Sequence, residues 1–404
     1  MSRGDDMQIA DLNFMVAEDD DFQRRWLVIM LGNLGARNII EVADGLAALA
    51  VLQDKSQKID IGFIDLNMPG MDGMEVIRHV AKENLQTSII LASALDSSLL
   101  FSVGTMSKAY GIDLLGIIEK PATPESLLDL IKLYRPPHTR LESIESLPNF
   151  SFGEIEQGLQ NRQFEPFFQP KVELESGQVK GAEAFARWVH PQYGVISPAS
   201  FIPVLEQNDG MDPLAWIVIE KSVAACRAWH DLGFPIMVSI NMSPSSLGKE
   251  GLAEQITEYV AQHKLDPQYV VFEVTESAAI VNIPYFLENL ARLRMKGFGL
   301  SVDDYGTGNA SMQQLLRIPF SELKIDRSFV AGAFQNHSLE LVLSASLELC
   351  RKLNRHSVAV GVETQQDWDF MKKLGCTYAQ GYYIAKPMEA AMLPMWMDEW
   401  AQFF

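Results

Sequence analysis

The stretch PLAWIVIEKSVAACRAWHDLGFPIMVSINMS (residues 213–243) contains a helix-like segment followed by a strand-like one. In residues 213–232 the apolar residues recur every three or four positions, which predicts an amphipathic helix. Residues 235–243 form a short apolar run, which predicts a buried strand. From about residue 152 such units repeat, with strand candidates at 164–174, 177–188, 235–243, 269–277, 297–306, 321–329, 356–364 and 379–387. Eight strands in about 250 residues, mostly separated by helices, predict a (β/α)8 barrel similar to a TIM barrel.

The first part of the chain shows the same alternation on a smaller scale. Five short apolar runs lie at 13–17, 38–43, 59–66, 88–93 and 115–121. Such repeats predict a five-stranded parallel sheet with helices on both faces, the doubly wound, flavodoxin-like architecture of the α/β class. We expect the last helix to begin at Thr123, with Pro124 in its first turn, where the missing N–H costs no hydrogen bond.

A proline-containing segment separates the two parts. Residues 136–151 include Pro136, Pro137 and Pro148 and have no sustained apolar period, so we expect a linker there. In the chain of 404 residues this predicts a first domain at 12–135 and a barrel domain at 152–404.

The composition excludes several classes of function. The chain has 52 acidic residues against 33 Lys and Arg, a formal net charge of −19. That excess argues against general binding to DNA, RNA or an anionic membrane, which needs clustered basic residues. No apolar run approaches the roughly 20 residues of a membrane-spanning helix, and the first residues lack a signal-peptide core. The three cysteines lie far apart and the seven histidines are scattered, so we expect a cytoplasmic protein without a zinc site.

Polar side chains stand at the ends of four predicted strands of the first domain. Glu18 and Asp19 follow the first strand, and Asp65, Ser93 and Lys120 close the third, fourth and fifth. Because parallel strands end at the same edge of a sheet, we expect these side chains in one crevice. Clustered carboxylates need a counter-ion, usually Mg²⁺ with carboxylate and water ligands. An acidic run alone is more often a solvated loop, but this ordered set indicates a site in which Asp65 is exposed as a nucleophile.

These residues closely resemble the pattern of the receiver domain of two-component response regulators, over about residues 12–135. The resemblance implies that the partner is a sensor histidine kinase or a phosphotransfer protein. It implies these roles: Asp65 as phosphoacceptor, Glu18 and Asp19 as Mg²⁺ ligands, Ser93 as switch hydroxyl and Lys120 as the conserved lysine. Two positions depart from the family pattern. Glu18 replaces one aspartate of the usual pair and keeps its charge, and Ile117 replaces the switch aromatic.

Polar residues also follow the apolar runs of the barrel strands. Hard oxygen donors stand at four of these ends, namely Glu183, Asn241, Glu273 and Asp303 with its neighbour Asp304. A purely structural barrel has no reason to line one rim with carboxylates, whereas β/α-barrel enzymes carry their chemistry there. Arg187 offers a bidentate fork for a phosphate, and Lys324 offers a positive charge near an attacking water. Without histidine or cysteine in the set, Mg²⁺ or Mn²⁺ is favoured over zinc. The pattern indicates metal-assisted phosphodiester hydrolysis.

Eight motifs in this part resemble those of EAL-domain cyclic-di-GMP phosphodiesterases, over roughly residues 155–400. They are QPK (169–171), EAFAR (183–187), NMS (241–243), EVTE (273–276), DDYGTG (303–308), KID (324–326), GVET (361–364) and QG (380–381). The resemblance implies cyclic-di-GMP as ligand, with metal ligation by Glu183, Asn241, Glu273, Asp303 and Asp304. It implies catalytic roles for Lys324, Asp304 and Glu363, and contacts to the dinucleotide from Gln169, Arg187, Asp326 and Gln380. It further implies that Glu276 supports the loop 303–311 and that the barrels pair into a homo-oligomer, a dimer in the family.

Three positions depart from the EAL pattern. Phe185 stands where the family has leucine, the loop reads GTGNAS where GTGYSS is common, and Val360 stands where active members have a glutamate. Valine can neither ligate a metal nor move a proton. Two functions therefore stay open: hydrolysis of cyclic-di-GMP to pGpG under control of receiver phosphorylation, or a catalytically impaired domain that binds cyclic-di-GMP or a partner protein. An unrelated metal-dependent hydrolase is disfavoured, because Arg187 and the QG pair suit a nucleotide phosphodiester.

Overall fold

The structure is a computed structural model. It describes residues 9–403 except 55, 84, 94–102, 104–105, 108–109, 135, 137–149, 281–283 and 309–311. The chain divides into two compact units, Met1–Leu147 and Pro148–Phe404. Most of the predicted linker 136–151 lies outside the described residues. Within the described ranges, no helix is both long and apolar enough to cross a membrane.

The first unit is built on five strands: β1 Asn13–Ala17, β2 Asn38–Val42, β3 Ile61–Asp65, β4 Ser88–Ser93 and β5 Leu114–Glu119. They form one parallel sheet in the order β2-β1-β3-β4-β5. Its described helices are α1 Asp21–Asn33, α2 Gly45–Gln53, α3 Gly73–Lys82 and α4 Pro124–Ile131. Phe14 packs in one apolar cluster with α1 and α4, and its neighbour Met15 packs in another with α2 and α3. The predicted doubly wound sheet is thus confirmed.

Side chains at the helix starts explain where these helices begin. Asp20 and Asp72 accept hydrogen bonds from the backbone of the first turns of α1 and α3, which satisfies otherwise unpaired N–H groups. Thr123 caps α4 with Pro124 in the first turn, as predicted. A Cβ at Gly73 would lie 2.3 Å from the carbonyl oxygen of Asp65, so glycine lets α3 begin directly beside the end of β3.

The second unit contains a closed barrel of eight strands: β6 Phe164–Glu173, β7 Val179–His190, β9 Met237–Asn241, β10 Val270–Thr275, β11 Gly299–Tyr305, β12 Glu322–Ile325, β13 His356–Val360 and β14 Tyr378–Gln380. The short strands β8 Gly194–Ile196 and β15 Met388–Glu389 pair with β7 and β6. The barrel closes because β6 pairs with both β7 and β14. The predicted eight-stranded barrel is confirmed.

The direction of β6 differs from that of a regular β/α barrel. It runs antiparallel to β7 and β14, whereas the other seven barrel strands are parallel to one another. The connection from β6 to β7 is only residues 174–178, with Gly177 in the left-handed region. Such a short turn can join only antiparallel strands, since parallel neighbours need a crossover of about a dozen residues or more.

Helices surround the barrel. They are α5 Phe152–Gln160, α6 Ile202–Gln207, α7 Met211–Asp231, α8 Pro244–Leu247, α9 Leu252–Gln262, α10 Pro284–Met295, α11 Met312–Leu315, α12 Arg327–Val330, α13 His337–Lys352, α14 Gln365–Lys373 and α15 Leu393–Trp400. The helix predicted over 213–232 is α7, whose buried residues include Leu214, Ile219 and Val223. These side chains join Val238 and Ile240 of β9 in the main apolar cluster of the unit.

Candidate functional site

A buried ionic cluster lies at the carboxyl ends of the parallel barrel strands. The Lys324 ammonium on β12 lies 2.8 Å from Glu183 Oε2, 2.5 Å from Glu273 Oε2 and 2.9 Å from Asp303 Oδ2. Lys324, Glu183 and Glu273 are buried, and Asp303 is partly buried. Four residues that the sequence marked separately, on four different strands, are therefore in direct contact.

A chain of side-chain amides continues from this cluster. Asn241 Nδ2 donates to Glu183 Oε1 at 2.7 Å. Gln380 Nε2 donates to Glu183 Oε2 at 2.8 Å and to Gln169 Oε1 at 3.0 Å, and Gln169 Nε2 donates to the carbonyl oxygen of Ala385 at 2.8 Å. Both hydrogen bonds of the Gln380 side chain use its Nε2, which fixes the orientation of the amide. Its Oε1 is therefore a buried acceptor without a hydrogen-bond donor among the described residues. A buried acceptor of this kind is suited to a ligand or an ordered water.

The carboxylates of the cluster fit a hard divalent cation. One oxygen of each of Glu183, Glu273 and Asp303 lies within 4.8 Å of the others, and oxygen donors of this kind are the ligands that Mg²⁺ and Mn²⁺ prefer. Burial and the charge of Glu183 raise the pKa of Glu273 well above its usual value. Burial acts against the charge of Lys324, but the surrounding carboxylates raise its pKa well above the usual value. The lysine is therefore an ammonium ion throughout the neutral range.

Asp304 adds a fourth carboxylate at a strained position. Its φ angle of 55° lies in the left-handed region, which is uncommon outside glycine, and the register of β11 shifts between Val302 and Tyr305. Its backbone N–H donates to Asp303 Oδ1 at 2.9 Å. Burial, then the charges of Asp303 and Asp326, raise the pKa of Asp304 to about 6. Strand irregularities of this kind are frequent beside active sites, where they redirect side chains.

Arg187 contacts Phe185, a residue that lines a cavity next to Asn241. Its guanidinium lies 5.8 Å from the centre of the Phe185 ring and donates to the carbonyl oxygen of Ala186 at 2.9 Å. Burial lowers the pKa of Arg187, although an arginine remains charged. Phe185 and Asn241 are among the residues that line an adjacent cavity of about 570 Å³, whose lining is mainly apolar.

Three predicted site residues make contacts outside the Lys324 cluster. Glu276 Oε2 accepts a hydrogen bond from the backbone of Gly306 at 2.6 Å, which supports the described part of the loop 303–311. Asp326 accepts from the backbone N–H of Ser328 at 2.9 Å and caps α12. Glu363 pairs with Arg327 at 3.0 Å.

Val360 is the last residue of β13 and lies opposite Gln380 of β14 in the sheet register. Its strand is flanked by β12, which carries Lys324, and by β14. An aliphatic side chain thus stands at a strand end between two strands that contribute polar residues to the site.

The first unit holds a similar but smaller cluster. Lys120 Nζ lies 2.6 Å from Glu18 Oε2 and 2.9 Å from Asp65 Oδ2. Oxygens of Glu18, Asp19 and Asp65 lie within 4.8 Å of one another, which again fits a hard divalent cation. Burial, together with the charge of Asp65, raises the pKa of Glu18. Ser93 ends β4, and its carbonyl oxygen accepts the Lys120 N–H at 2.9 Å.

Two residues that take part in these contacts, Arg327 and Ala385, were not predicted from the sequence. Arg327 directly follows the KID motif, and its partnership with Glu363 joins two motifs that are distant in the chain. A Cβ at Gly361 would meet the Arg327 side chain at 2.4 Å, so the motif glycine makes room for this arginine. Ala385 acts through its backbone oxygen, a role that no residue type reveals.

Known families match both parts of the chain. The response regulator receiver domain matches residues 14–132, and the EAL domain matches residues 153–387. The chain therefore belongs to the EAL-domain family, and it is a response regulator in which a receiver domain precedes the EAL domain.

Similar proteins align either with nearly the whole chain or with a large part of it. The cyclic di-GMP phosphodiesterase RocR of Pseudomonas aeruginosa is 38% identical over 381 residues, which cover 94% of this chain and 96% of that protein. A structure of the PaMucR phosphodiesterase in complex with c-di-GMP is 36% identical with a TM-score of 0.56, over 60% of this chain and 98% of that chain. The structure of the EAL enzyme Bd1971 in its cAMP and cyclic-di-GMP bound form is 27% identical, with a TM-score of 0.58. The match covers 69% of this chain and 77% of that chain.

Proposed function

We propose that the barrel hydrolyses cyclic-di-GMP to linear pGpG with Mg²⁺ or Mn²⁺, and that phosphorylation of Asp65 controls this reaction. The observation that carries the proposal is the contact of Glu183, Glu273 and Asp303 with Lys324 in one buried cluster. The similarity to RocR, named as a cyclic di-GMP phosphodiesterase, supports the substrate.

In this proposal the cluster holds the metal and positions the attacking water. Glu183, Asn241, Glu273 and Asp303 hold one ion and Asp304 helps to hold a second. A bound divalent ion polarises the phosphodiester and lowers the pKa of its water. Lys324 is protonated and cannot act as a base, so it donates hydrogen bonds near the attacking water. Asp304, whose pKa is raised to about 6 in the metal-free site, is ionised at neutral pH and can therefore ligate this second ion.

The remaining barrel residues bind the dinucleotide. Arg187 pairs with a phosphate, and its contact with the Phe185 ring restricts the guanidinium before the ligand arrives. Gln380, held by Glu183 and Gln169, offers its buried Oε1 to a donor of the ligand or its water. The apolar cavity beside Phe185 is suited to a nucleobase. Asp326 and Glu363 act from the margin of the site, and Glu276 steadies the loop.

In the receiver domain we propose Asp65 as phosphoacceptor, with a sensor histidine kinase or a phosphotransfer protein as donor. Glu18 and Asp19 hold Mg²⁺, and Lys120 and Ser93 contact the phosphoryl oxygens. Lys120 already contacts Asp65, and it would pair with the added charge. We further propose that the protein acts in the cytoplasm, in line with its three buried free thiols, and that its barrels form a homodimer.

Val360 favours a second candidate function. A valine at this strand end supplies no ligand or proton acceptor, while the rest of the cluster is intact. This combination supports a domain that binds cyclic-di-GMP and passes the signal by contact, with little or no hydrolysis.

Product analysis separates the two candidates. The purified full chain is incubated with cyclic-di-GMP and either Mg²⁺ or Mn²⁺, with and without a small phosphodonor, and the nucleotides are separated by chromatography. Formation of pGpG that disappears in Asp303→Asn supports the phosphodiesterase. Binding by calorimetry without product supports the sensor, and absence of both binding and product contradicts the two proposals together.

A further inference from the structure

A second buried ion pair lies inside the barrel and has no part in the chemistry proposed above. Lys171 Nζ lies 2.8 Å from Glu322 Oε1 and 2.6 Å from Glu322 Oε2. Ser301 Oγ donates to Glu322 Oε1 at 3.1 Å, and the Lys171 ammonium lies 5.5 Å from the centre of the Tyr378 ring. All four residues are buried. The pair is therefore fully enclosed and supported by neutral neighbours.

The pair lies one layer beneath the ionic cluster. Side chains two residues apart on a strand point to the same face. Lys171 is two residues from Gln169 on β6, Glu322 is two from Lys324 on β12, and Ser301 is two from Asp303 on β11. Each member of the lower layer therefore lies under a residue of the site.

The two layers connect the same strands by different routes. In the upper layer, Gln169 reaches Lys324 through Gln380 and Glu183. In the lower layer, the Lys171–Glu322 pair connects β6 to β12 directly, across the interior, since β13 and β14 lie between these strands in the sheet. Ser301 adds β11 to the same contact.

Stability alone does not explain such a pair. Interior layers of β/α barrels are usually filled by branched apolar residues, and replacing a buried ion pair by apolar residues of similar volume is often neutral or stabilising. The charge of Lys171 also acts on the cluster above, where it opposes the rise in the pKa of Glu273 that burial and Glu183 cause.

We propose that Lys171 and Glu322 are positioning residues, whose ion pair holds β6, β11 and β12 in the arrangement that brings Lys324 and Asp303 to Glu183. The inference rests on the proposed function of the upper cluster as a metal site. It assigns the lower pair a role in metal affinity and no contact with metal or substrate.

The test uses the double variant Lys171→Met/Glu322→Leu in the full chain, with titration of Mn²⁺ alone by calorimetry. We expect a thermal unfolding midpoint close to that of the wild type and an Mn²⁺ affinity about tenfold or more weaker, as when outer partners of metal ligands are removed. The matched control is Lys221→Met, which removes the ion pair of Lys221 with the exposed Glu165 near the start of β6 and should leave Mn²⁺ affinity unchanged. Unchanged affinity in the double variant overturns the inference.

Combining variants separates positioning from general loosening of the barrel. The double variant is combined in turn with two further substitutions. Asp303→Asn lies on β11, the strand that Ser301 connects to the ion pair. Asn241→Ala lies on β9, for which no contact with the pair is seen among the described residues. We expect non-additive losses of Mn²⁺ affinity with the first and additive losses with the second. Additive losses with both refute a positioning role.

A conservative variant keeps the test decisive if the double variant does not fold. Glu322→Asp retains the charge and withdraws it by one methylene, and we expect several-fold weaker Mn²⁺ binding; unchanged binding overturns the inference. Wild-type protein that binds no Mn²⁺ contradicts the proposed metal site itself, and this inference falls with it.

Discussion

Replacing Lys324 with methionine preserves the length of the side chain and removes the ammonium that Glu183, Glu273 and Asp303 contact. Removing one partner of a buried ion pair costs about 3–5 kcal/mol, because the other charge stays buried without compensation. Here the carboxylates also repel one another: burial and, after it, the charge of Glu183 raise the pKa of Glu273. We expect the barrel of Lys324→Met to lose about 3–5 kcal/mol in its free energy of unfolding at neutral pH.

The loss depends on pH with a definite sign. Without the ammonium, the folded-state pKa values of these carboxylates rise, because Lys324 lowers them in the wild type; the pKa of Glu273 is already well above the usual 4.5 of a glutamate, whereas that of Glu183 is below it. A carboxyl with a raised folded pKa remains protonated in the folded chain but ionises in the unfolded one, so stability falls as the pH rises between the two values. The deficit of the variant should therefore be small near pH 4.5 and largest above neutrality. Saturation with Mn²⁺ should recover about 2.7 kcal/mol at a concentration 100 times Kd.

Urea denaturation followed by tryptophan fluorescence measures this loss. Of the seven tryptophans only Trp26 precedes residue 150, so the signal reports mainly on the barrel. The control is Lys221→Met, which removes an ion pair with a more exposed partner and should cost about 1 kcal/mol or less. If Lys324→Met costs no more than this control at neutral pH, the cluster does not depend on Lys324 and the electrostatic reasoning is wrong.

Four further predictions address the two sites. Asp65→Asn should abolish incorporation of phosphate from acetyl phosphate with Mg²⁺, because it removes the nucleophilic oxygen; mass spectrometry measures this. Arg187→Ala should weaken cyclic-di-GMP binding by calorimetry about ten- to hundred-fold, since a charge-assisted hydrogen bond contributes about 1.5–3 kcal/mol. Val360→Glu should raise the rate of pGpG formation about a hundred-fold, because it adds a proton acceptor or ligand at the end of β13. Affinity for Mn²⁺ should fall by up to about tenfold per pH unit below the pKa of Asp304, because protons and metal compete for its carboxylate. In calorimetric titrations at several pH values, Asp304→Asn should make this pH dependence less steep.

Each of these predictions has an outcome that would contradict it. Wild-type phosphate incorporation in Asp65→Asn would place the phosphoacceptor elsewhere. Unchanged affinity in Arg187→Ala would show that the ligand does not bind beside Arg187 and Phe185. A fast wild type that Val360→Glu does not accelerate would show that the barrel functions without the family glutamate. An equally steep pH dependence in Asp304→Asn would assign the competing proton to another carboxyl.

The ends of the strands were predictable because polar residues there interrupt short apolar runs. Asn241 and Glu273 lie directly opposite each other in the register of β9 and β10, as expected for polar residues that end neighbouring parallel strands. The same logic placed Asp65 and Lys120 together at the edge of the receiver sheet. Asp65 and Ser93 end β3 and β4 as predicted, whereas Glu183 lies in the middle of β7, because that strand continues beyond the site to pair with β8.

Features that depend on distant parts of the chain were not predictable in this way. The run that forms β6 indicates a strand, but an apolar run carries no information about its direction in the sheet. Glu322 precedes the KID motif, and nothing near it in sequence indicates that its partner is Lys171, 151 residues away. Glu363 was predicted to be catalytic from its motif, and its contact with Arg327 becomes visible only when α12 and the end of β13 are placed in space.

The reversed strand β6 determines the side from which the polypeptide joins the barrel. Its first residue, Phe164, lies opposite Trp188, beyond Glu183 on the rim side of β7. Upstream, the ring of Phe150 packs 4.6 Å from the ring of the same tryptophan. The incoming segment therefore reaches the barrel from the side of the carboxylates, and Gln169, which lies opposite Glu183, is the first proposed substrate-binding residue along its path. A displacement of that segment can therefore affect the carboxylate end of the barrel directly, without being transmitted through the packed interior.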